Sequence, residues 1–432
     1  MINKLKSKLD NGIAKEVIWS IAIKVVYTIV TPVTIILLAR ILGPEEFGVY
    51  AFTISVLTLL AVPTSLGFPT VIMRFASNYH YKEKWAELKG LFRFTNTVVF
   101  GLGIAIICLT VLILFSDIFS IDEKNRAALY YGIPIVLILG LEGLRSASLI
   151  GIDKVILGQI PTKIIRPIIF VLLIVIGYLT IPEISAIHGI LLYLCAAIIS
   201  YSSGAIILIK NLPKQFSEVV SRYEYRPWLK SAMPLLVLGS VQVLGGQIDI
   251  LVLGIFRTNE EVGIYKVVYQ TGLLVIFGLS AINSVITPKI SNLFIDNKLN
   301  ELKSLLVKSN WSIFLLGLPI ALTCIFFGKF VLNIVFGSQY VIGFQALNII
   351  VLGRLVNTLL GSSSLVLKMT GFEKIAAYGI MIGTLTNIIL DLVLIPKFGI
   401  EGAAIASSVG MITWNIFLYY SIKFKLNINV IK

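Results

Sequence analysis

About twelve runs of predominantly apolar residues, each roughly 20 long, follow one another along this chain with short polar connectors between them. A run of that length crosses about 30 Å of hydrocarbon as a helix, whereas barrel strands are shorter and alternate in polarity. The runs lie near 17–39, 49–73, 91–115, 127–150, 163–180 and 187–209, and then near 231–255, 263–287, 309–328, 345–368, 375–395 and 402–422. Composition fits no other solvent: at 57% hydrophobic and 13% charged, with mean hydropathy +0.94, the chain has too little polar surface for a soluble globule. The expected fold is an all-α polytopic membrane protein of about twelve transmembrane helices.

The chain also repeats itself. Glu45-Glu46-Phe47-Gly48-Val49-Tyr50 is echoed about 215 residues later by Glu260-Glu261-Val262-Gly263-Ile264-Tyr265. In the same order Arg74 is answered by Lys289, Gly151-Ile152-Asp153-Lys154 by Gly371-Phe372-Glu373-Lys374, and Ile181-Pro182 with Gly189 by Ile395-Pro396 with Gly402. A repeat unit with an even number of spans enters the membrane twice in the same orientation. This predicts two parallel six-helix lobes around a central cavity, residues 1–209 and 231–432, joined by a polar connector at 210–230.

Charge fixes the expected orientation. Lys4, Lys6, Lys8 and Lys15, then Arg74, Lys82, Lys84, Lys89 and Arg93, fall on one side with the basic residues of the 210–230 connector. Lys154, Lys163, Lys289, Lys298, Lys303, Lys308, Lys368, Lys374, Lys423, Lys425 and Lys432 join them, while the opposite connectors hold Arg40, Lys124, Arg126, Arg257, Lys266, Lys329 and Lys397. By the positive-inside rule both termini are expected in the cytoplasm, and the protein in the cell (inner) membrane. The net charge of +14 follows from this asymmetry and favours anionic inner-leaflet lipids, not nucleic acid. The Lys-rich start reads as leading into a retained first helix, because no small-residue cleavage site follows it.

Chemical motifs narrow the function. Cys108, Cys195 and Cys324 sit singly in different spans, and His80 and His188 are the only histidines, so neither a disulfide framework nor a metal site is expected. No nucleotide-binding loop or familiar hydrolase motif occurs, and no cofactor is implied. A charge at mid-bilayer costs about 2.5–3.5 kcal/mol, which makes every intramembrane ion a functional candidate. Those candidates are Lys24, Glu142, Arg145, Arg166, Asp249, Arg354 and Asp391.

For substrate binding the candidates are Arg354, Arg145, Lys24 and Asn357; for ion coupling they are Asp249 and Glu142. Arg354 lies well inside its span, with Asn357 and Gly361 continuing a polar stripe at helical spacing. Lys24 has two open readings, snorkelling to the interface or facing a wet cavity beside Thr28 and Thr31. Glu142 and Arg145, three apart, are placed to pair. Asp249 shares a face with Gln242, near Gly245-Gly246; its alternative role is a structural hydrogen bond. Arg166 is expected to snorkel, and Asp391 to sit at the outer interface.

Arg40-x-Leu42-Gly43-x-x-x-Phe47-Gly48-x-Tyr50, followed by Leu66-Gly67-Phe68 and Arg74, resembles the opening of a known family. It is the polysaccharide-translocating branch of the multidrug/oligosaccharidyl-lipid/polysaccharide exporter superfamily. Asp249, Gly263-x-Tyr265, Pro288, Phe336-Gly337-x-x-Tyr340 and Ile395-Pro396-x-x-Gly399-Ile400-x-Gly402-Ala403-Ala404-Ile405-Ala406 extend the resemblance over nearly the whole chain. It implies a non-enzymatic flippase for polyprenyl-pyrophosphate-linked oligosaccharides of O-antigen or capsule type, working by alternating access, with a glycan polymerase and other assembly proteins as possible partners.

The intramembrane cations suit such a substrate, since fixed Arg and Lys charges offset the lost hydration of a pyrophosphate. Two other classes stay open. A cation-coupled multidrug exporter shares the architecture but favours acidic and aromatic cavity residues, and a membrane glycan polymerase or ligase is expected to expose a large outer loop.

Overall fold

The computed structural model describes residues 2–116, 121–360, 362–426 and 428. These residues form helices joined by short turns, and no β-strand occurs among them. Among the described residues nine helical segments are long and apolar enough to cross a membrane, or ten when the bent pair Tyr225–Val241 and Val243–Phe256 is taken as one span. The chain is a multi-pass membrane protein, although twelve separate spans are not delimited. Two segments, Ala22–Ser65 and Glu373–Leu426, run for 44 and 54 residues. At 1.5 Å per residue they are about 66 and 81 Å long, more than twice the hydrocarbon thickness. Each is broken by a glycine in the left-handed region, Gly43 (φ 73°) and Gly399 (φ 55°), so a near-continuous helix has length for two crossings.

The described chain gathers into two compact units. The first comprises Met1–Leu42 and Thr53–Val243; the second comprises Gly43–Phe52 and Leu244–Lys432. The ten-residue segment that joins the second unit contains the first copy of the repeated hexapeptide. Within that unit it lies against the second copy, and the two glycines make the approach possible. A Cβ on Gly48 would fall 1.7 Å from the carbonyl oxygen of Asn259, and one on Gly263 would fall 2.0 Å from that of Pro44. Each glycine therefore faces the residue four positions before its counterpart, a symmetric crossing closed to any larger side chain.

The backbone repeats elsewhere as well. Glu83 and Asn297, 214 residues apart by their numbers, share the left-handed conformation at φ 53° and 58°, as do Asp153 (62°) and Gly371 (84°). Left-handed turns thus recur at a similar separation in the two copies, built from different residue types.

In the first unit, apolar packing centres on Phe68, Ile72, Leu91, Leu144 and Trp228. Trp228 brings the 210–230 connector into that core. Its indole N–H donates to the Tyr79 hydroxyl at 3.1 Å, and Tyr79 donates to Glu224 at 2.5 Å. Burial and then the Glu224 carboxylate push the Tyr79 phenol up to about 12, so it stays a donor. The Arg222 amide donates to the Ala86 carbonyl at 2.9 Å and Lys89 Nζ to that of Val219 at 2.8 Å. The connector is thereby fastened along Trp85–Phe115. In the second unit Ile290, Leu306, Leu367, Leu418 and Ile422 form a separate core.

The glycine crossing makes a direct prediction. Gly48→Ala and Gly263→Ala should each destabilise the purified protein by about 1–3 kcal/mol through overpacking, whereas Gly101→Ala, with open space around its Cα, should leave the melting temperature within error. Thermal unfolding in detergent measures all three, and equal melting temperatures would disprove the crossing.

Candidate functional site

In the first unit the charged side chains collect around a π-helical turn, Pro161–Ile165, which widens the helix just before Arg166. Arg166 does not snorkel. Its Nη1 donates to Glu142 Oε2 at 2.6 Å, and the guanidinium lies 5.7 Å from the Tyr193 ring. Glu142 is 4% exposed and also receives Ser200 Oγ at 2.5 Å, while the same hydroxyl lies 2.8 Å from the Pro161 carbonyl. One hydroxyl proton serves one of these acceptors at a time.

The expected Glu142–Arg145 pair does not form. Spacing of three permits a pair on an isolated helix, but Arg166 from another element reaches Glu142 directly. Arg145 turns instead to Tyr201, donating to its carbonyl at 3.2 Å and stacking 4.4 Å above its ring. A cation over an aromatic face keeps its charge available to an anion. Lys24 is exposed, with Thr28 and Thr31 hydrogen-bonded to the Lys24 and Tyr27 carbonyls. It is near enough to Lys163 for the two charges to repel. Lys163, placed in a connector by sequence, lies on the π-turn and donates to Gln159 Oε1 at 2.8 Å. Lys24, Arg145, Lys163 and Arg166 thus share this region, where Glu142 pairs with Arg166.

In the second unit Arg354 is 7% exposed, its guanidinium 5.0 Å from the Tyr269 ring and its Nε buried without a hydrogen-bond partner. Among the described residues no carboxylate pairs with it. Asn357 accepts from Asn415 Nδ2 at 3.0 Å, so its carbonyl is engaged with another helix turn. Gly361, the third member of the expected stripe, lies outside the described residues, as does the side chain of Gln242.

Asp249 sits in a cluster that sequence alone shows only in part. Tyr265 donates to its Oδ2 at 2.5 Å, and Asn387 Nδ2 donates to its Oδ1 at 3.0 Å. The same Asn387 amide donates to Asp391 Oδ2 at 3.1 Å. Asp391, expected at the outer interface, is fully buried among its neighbours, and its Oδ1 has no partner. The helical segment breaks at Gly399, four residues past the expected span end at 395, and Asp391 packs against Asn387 one turn before it on the first arm. Two carboxylates sharing one amide in a buried site repel each other as bare anions, so a proton or a cation must accompany them. The Asn387–Asp391 spacing of four was readable as one helical face. Tyr265 could not be identified, because it comes from a different helix.

Comparison with known proteins follows this geometry. Residues 13–294 match the family of polysaccharide biosynthesis proteins, and residues 234–393 match the MatE family. A probable low-salt glycan biosynthesis flippase of Haloferax volcanii, Agl15, is 29% identical over 37% of this chain and 34% of its own length. The probable flippase AglR of the same organism is 29% identical over 38% and 35%. This chain therefore spans about a third of the length of these two relatives. A putative O-antigen transporter of Shigella flexneri is 23% identical over 93% of this chain and 95% of its own.

Among solved structures, the lipid II flippase MurJ in an inward closed conformation superposes with TM-score 0.73 at 18% identity, covering 94% of this chain and 87% of that one. An inward-facing MATE multidrug transporter of the MOP superfamily gives 0.78 at 12% identity, covering 93% and 94%. At these identities the likeness is one of fold.

The rearranged ion pair can be measured. A double-mutant cycle on Glu142→Gln and Arg166→Gln, read by thermal unfolding, should give a coupling of about 1–3 kcal/mol. The cycle between Glu142→Gln and Arg145→Gln should give a much smaller value. The opposite ranking would restore the intrahelical pair.

Proposed function

This chain belongs to the polysaccharide biosynthesis protein family, in the multidrug/oligosaccharidyl-lipid/polysaccharide exporter superfamily, and on that premise we propose that it flips polyprenyl-pyrophosphate-linked oligosaccharide units across the cell membrane. The direction in this reading is from the cytoplasmic to the outer leaflet, by alternating access, for surface polysaccharide of O-antigen or capsule type. Both termini are cytoplasmic in the same reading, consistent with the basic residues gathered on that side. Relatives named as flippases and an O-antigen transporter support the class.

The observation that carries the charge of the substrate is Arg354. A buried guanidinium with an unpaired Nε and no carboxylate partner is costly in a membrane unless an anion visits it. Tyr269 beneath it holds the plane without neutralising it. We assign Arg354 and Asn357 in the second unit, and Arg145 and Lys24 in the first, to binding the pyrophosphate and the sugars next to it. Lys163 adds to the positive field around Lys24.

Energy coupling is assigned to Asp249, with Glu142 as the second candidate. Asp391, Asn387 and Tyr265 surround Asp249 with oxygen and amide groups, and Asp391 Oδ1 is left unpaired. Carboxylate, amide and hydroxyl oxygens are the donors a hard cation such as sodium takes, and a shared proton serves the same pair. Binding of either changes the charge of the cluster. Any arrangement of the chain that binds the ion more tightly is then favoured.

A multidrug exporter is the second reading, favoured by the MatE match over residues 234–393. The two readings separate on Arg354. Arg354→Ala should abolish surface glycan in cells while leaving expression intact, and Arg354→Lys should keep part of it, since the charge survives without the bidentate fork. Normal surface glycan with well-expressed Arg354→Ala would remove Arg354 from the site. Coupling has its own test in proteoliposomes holding lipid-linked glycan. Wild-type translocation should respond to an imposed proton or sodium gradient, and Asp249→Asn should lose that response while still binding substrate. A gradient response unchanged in Asp249→Asn would make Asp249 structural.

A further inference from the structure

One surface feature lies apart from every residue assigned above. On the flank of the second unit the two arms of Glu373–Leu426 enclose a groove of about 550 Å³, walled by Ile375, Ile382, Ile416, Phe417, Tyr420 and Phe424. Its walls are accessible, Ile382 and Ile416 being 36% and 45% exposed, while Ile375 and Phe417 also pack against the core of the unit. At one end the lining changes character: Ser421 and Lys425 close it.

That end is the basic one. Ala376 shares one buried apolar cluster with Leu418, Ile422 and Leu426, which brings the start and finish of the helical segment together. Lys374, Lys423 and Lys425 therefore stand there against Glu373. Tyr420 and Phe424 stack 6.3 Å apart beside Lys425, and exposed aromatics next to lysines mark the headgroup level of a membrane protein. The groove thus runs from headgroup depth into the hydrocarbon, polar and positive at its mouth and apolar below.

We propose that this groove binds one anionic phospholipid, with an acyl chain along Ile382 and Ile416 and its phosphate against Lys425 and Ser421. Size and charge both select the occupant. The volume is that of a single fatty-acyl chain, whereas a polyprenyl carrier chain is several times longer and methyl-branched along its length. A zwitterionic headgroup fills the space equally well but leaves the lysine excess unanswered. Such a lipid braces the two arms toward the ends remote from Gly399, without touching Arg354 or Asp249.

Native mass spectrometry of the purified full chain, titrated with dioleoylphosphatidylglycerol or dioleoylphosphatidylcholine, tests this. The wild type should retain phosphatidylglycerol preferentially. Lys425→Gln should bind it about fivefold more weakly, the equivalent of the ~1 kcal/mol that a lysine contributes near an anionic surface, and should bind phosphatidylcholine as before. Ile416→Trp, which fills the groove from an exposed position, should lose both lipids; Ile382→Trp on the facing arm should do the same if Ile416→Trp fails to fold. Equal retention of the two lipids by the wild type, or undiminished retention in the tryptophan variants, overturns the proposal. Displacement of phosphatidylglycerol from this groove by undecaprenyl phosphate overturns it too, since the occupant would then be the carrier.

Discussion

A charge inside hydrocarbon has no water to lean on, so each one must be matched by an opposite charge, by hydrogen bonds, or by a ligand that arrives when it is needed. That requirement organises both halves of this protein. Glu142 and Arg166 satisfy each other at 2.6 Å and leave Arg145 and Lys163 to aromatic and amide partners. Asp249 and Asp391 are held by Asn387 and Tyr265, with one oxygen still unanswered. Arg354 has the face of Tyr269 and an orphaned Nε. The groups left incomplete are a cation in one place and a carboxylate pair in another, the two to which anion binding and ion coupling are assigned in the proposed function.

The same constraint separates what was legible in the sequence from what was not. Helical class and membrane location followed from the apolar runs alone, because length and hydropathy decide them without tertiary knowledge. The repeated Glu-Glu-x-Gly-x-Tyr segments were legible as a duplication, but the close Gly48–Gly263 crossing was not, since a repeat does not say where its two copies pack. Partner choice was not legible. Glu142 was three residues from one arginine and 24 from another, and the distant one took it. Local spacing measures only intrahelical opportunity, whereas packing of a neighbouring helix decides the pair.

The surroundings of Asp391 were hidden for a related reason. Its position before Ile395-Pro396 suggested a helix end, which the break at Gly399 supplies, but not the Asn387 amide that it shares with Asp249. The breaks at Gly43 and Gly399 fall where connectors were expected, near 40–48 and 396–401, with helix on both sides of each.

Movement of a lipid-linked anion is the claim on which these assignments converge. Its most direct measurement is the protein-dependent appearance of a fluorescent polyprenyl-pyrophosphate oligosaccharide on the far leaflet of proteoliposomes, read by an impermeant quencher. The account predicts accelerated exchange over protein-free vesicles, abolished in Arg354→Ala and sensitive to a proton or sodium gradient. Exchange no faster than in protein-free vesicles, together with gradient-driven export of a cationic dye from the same vesicles, would contradict it.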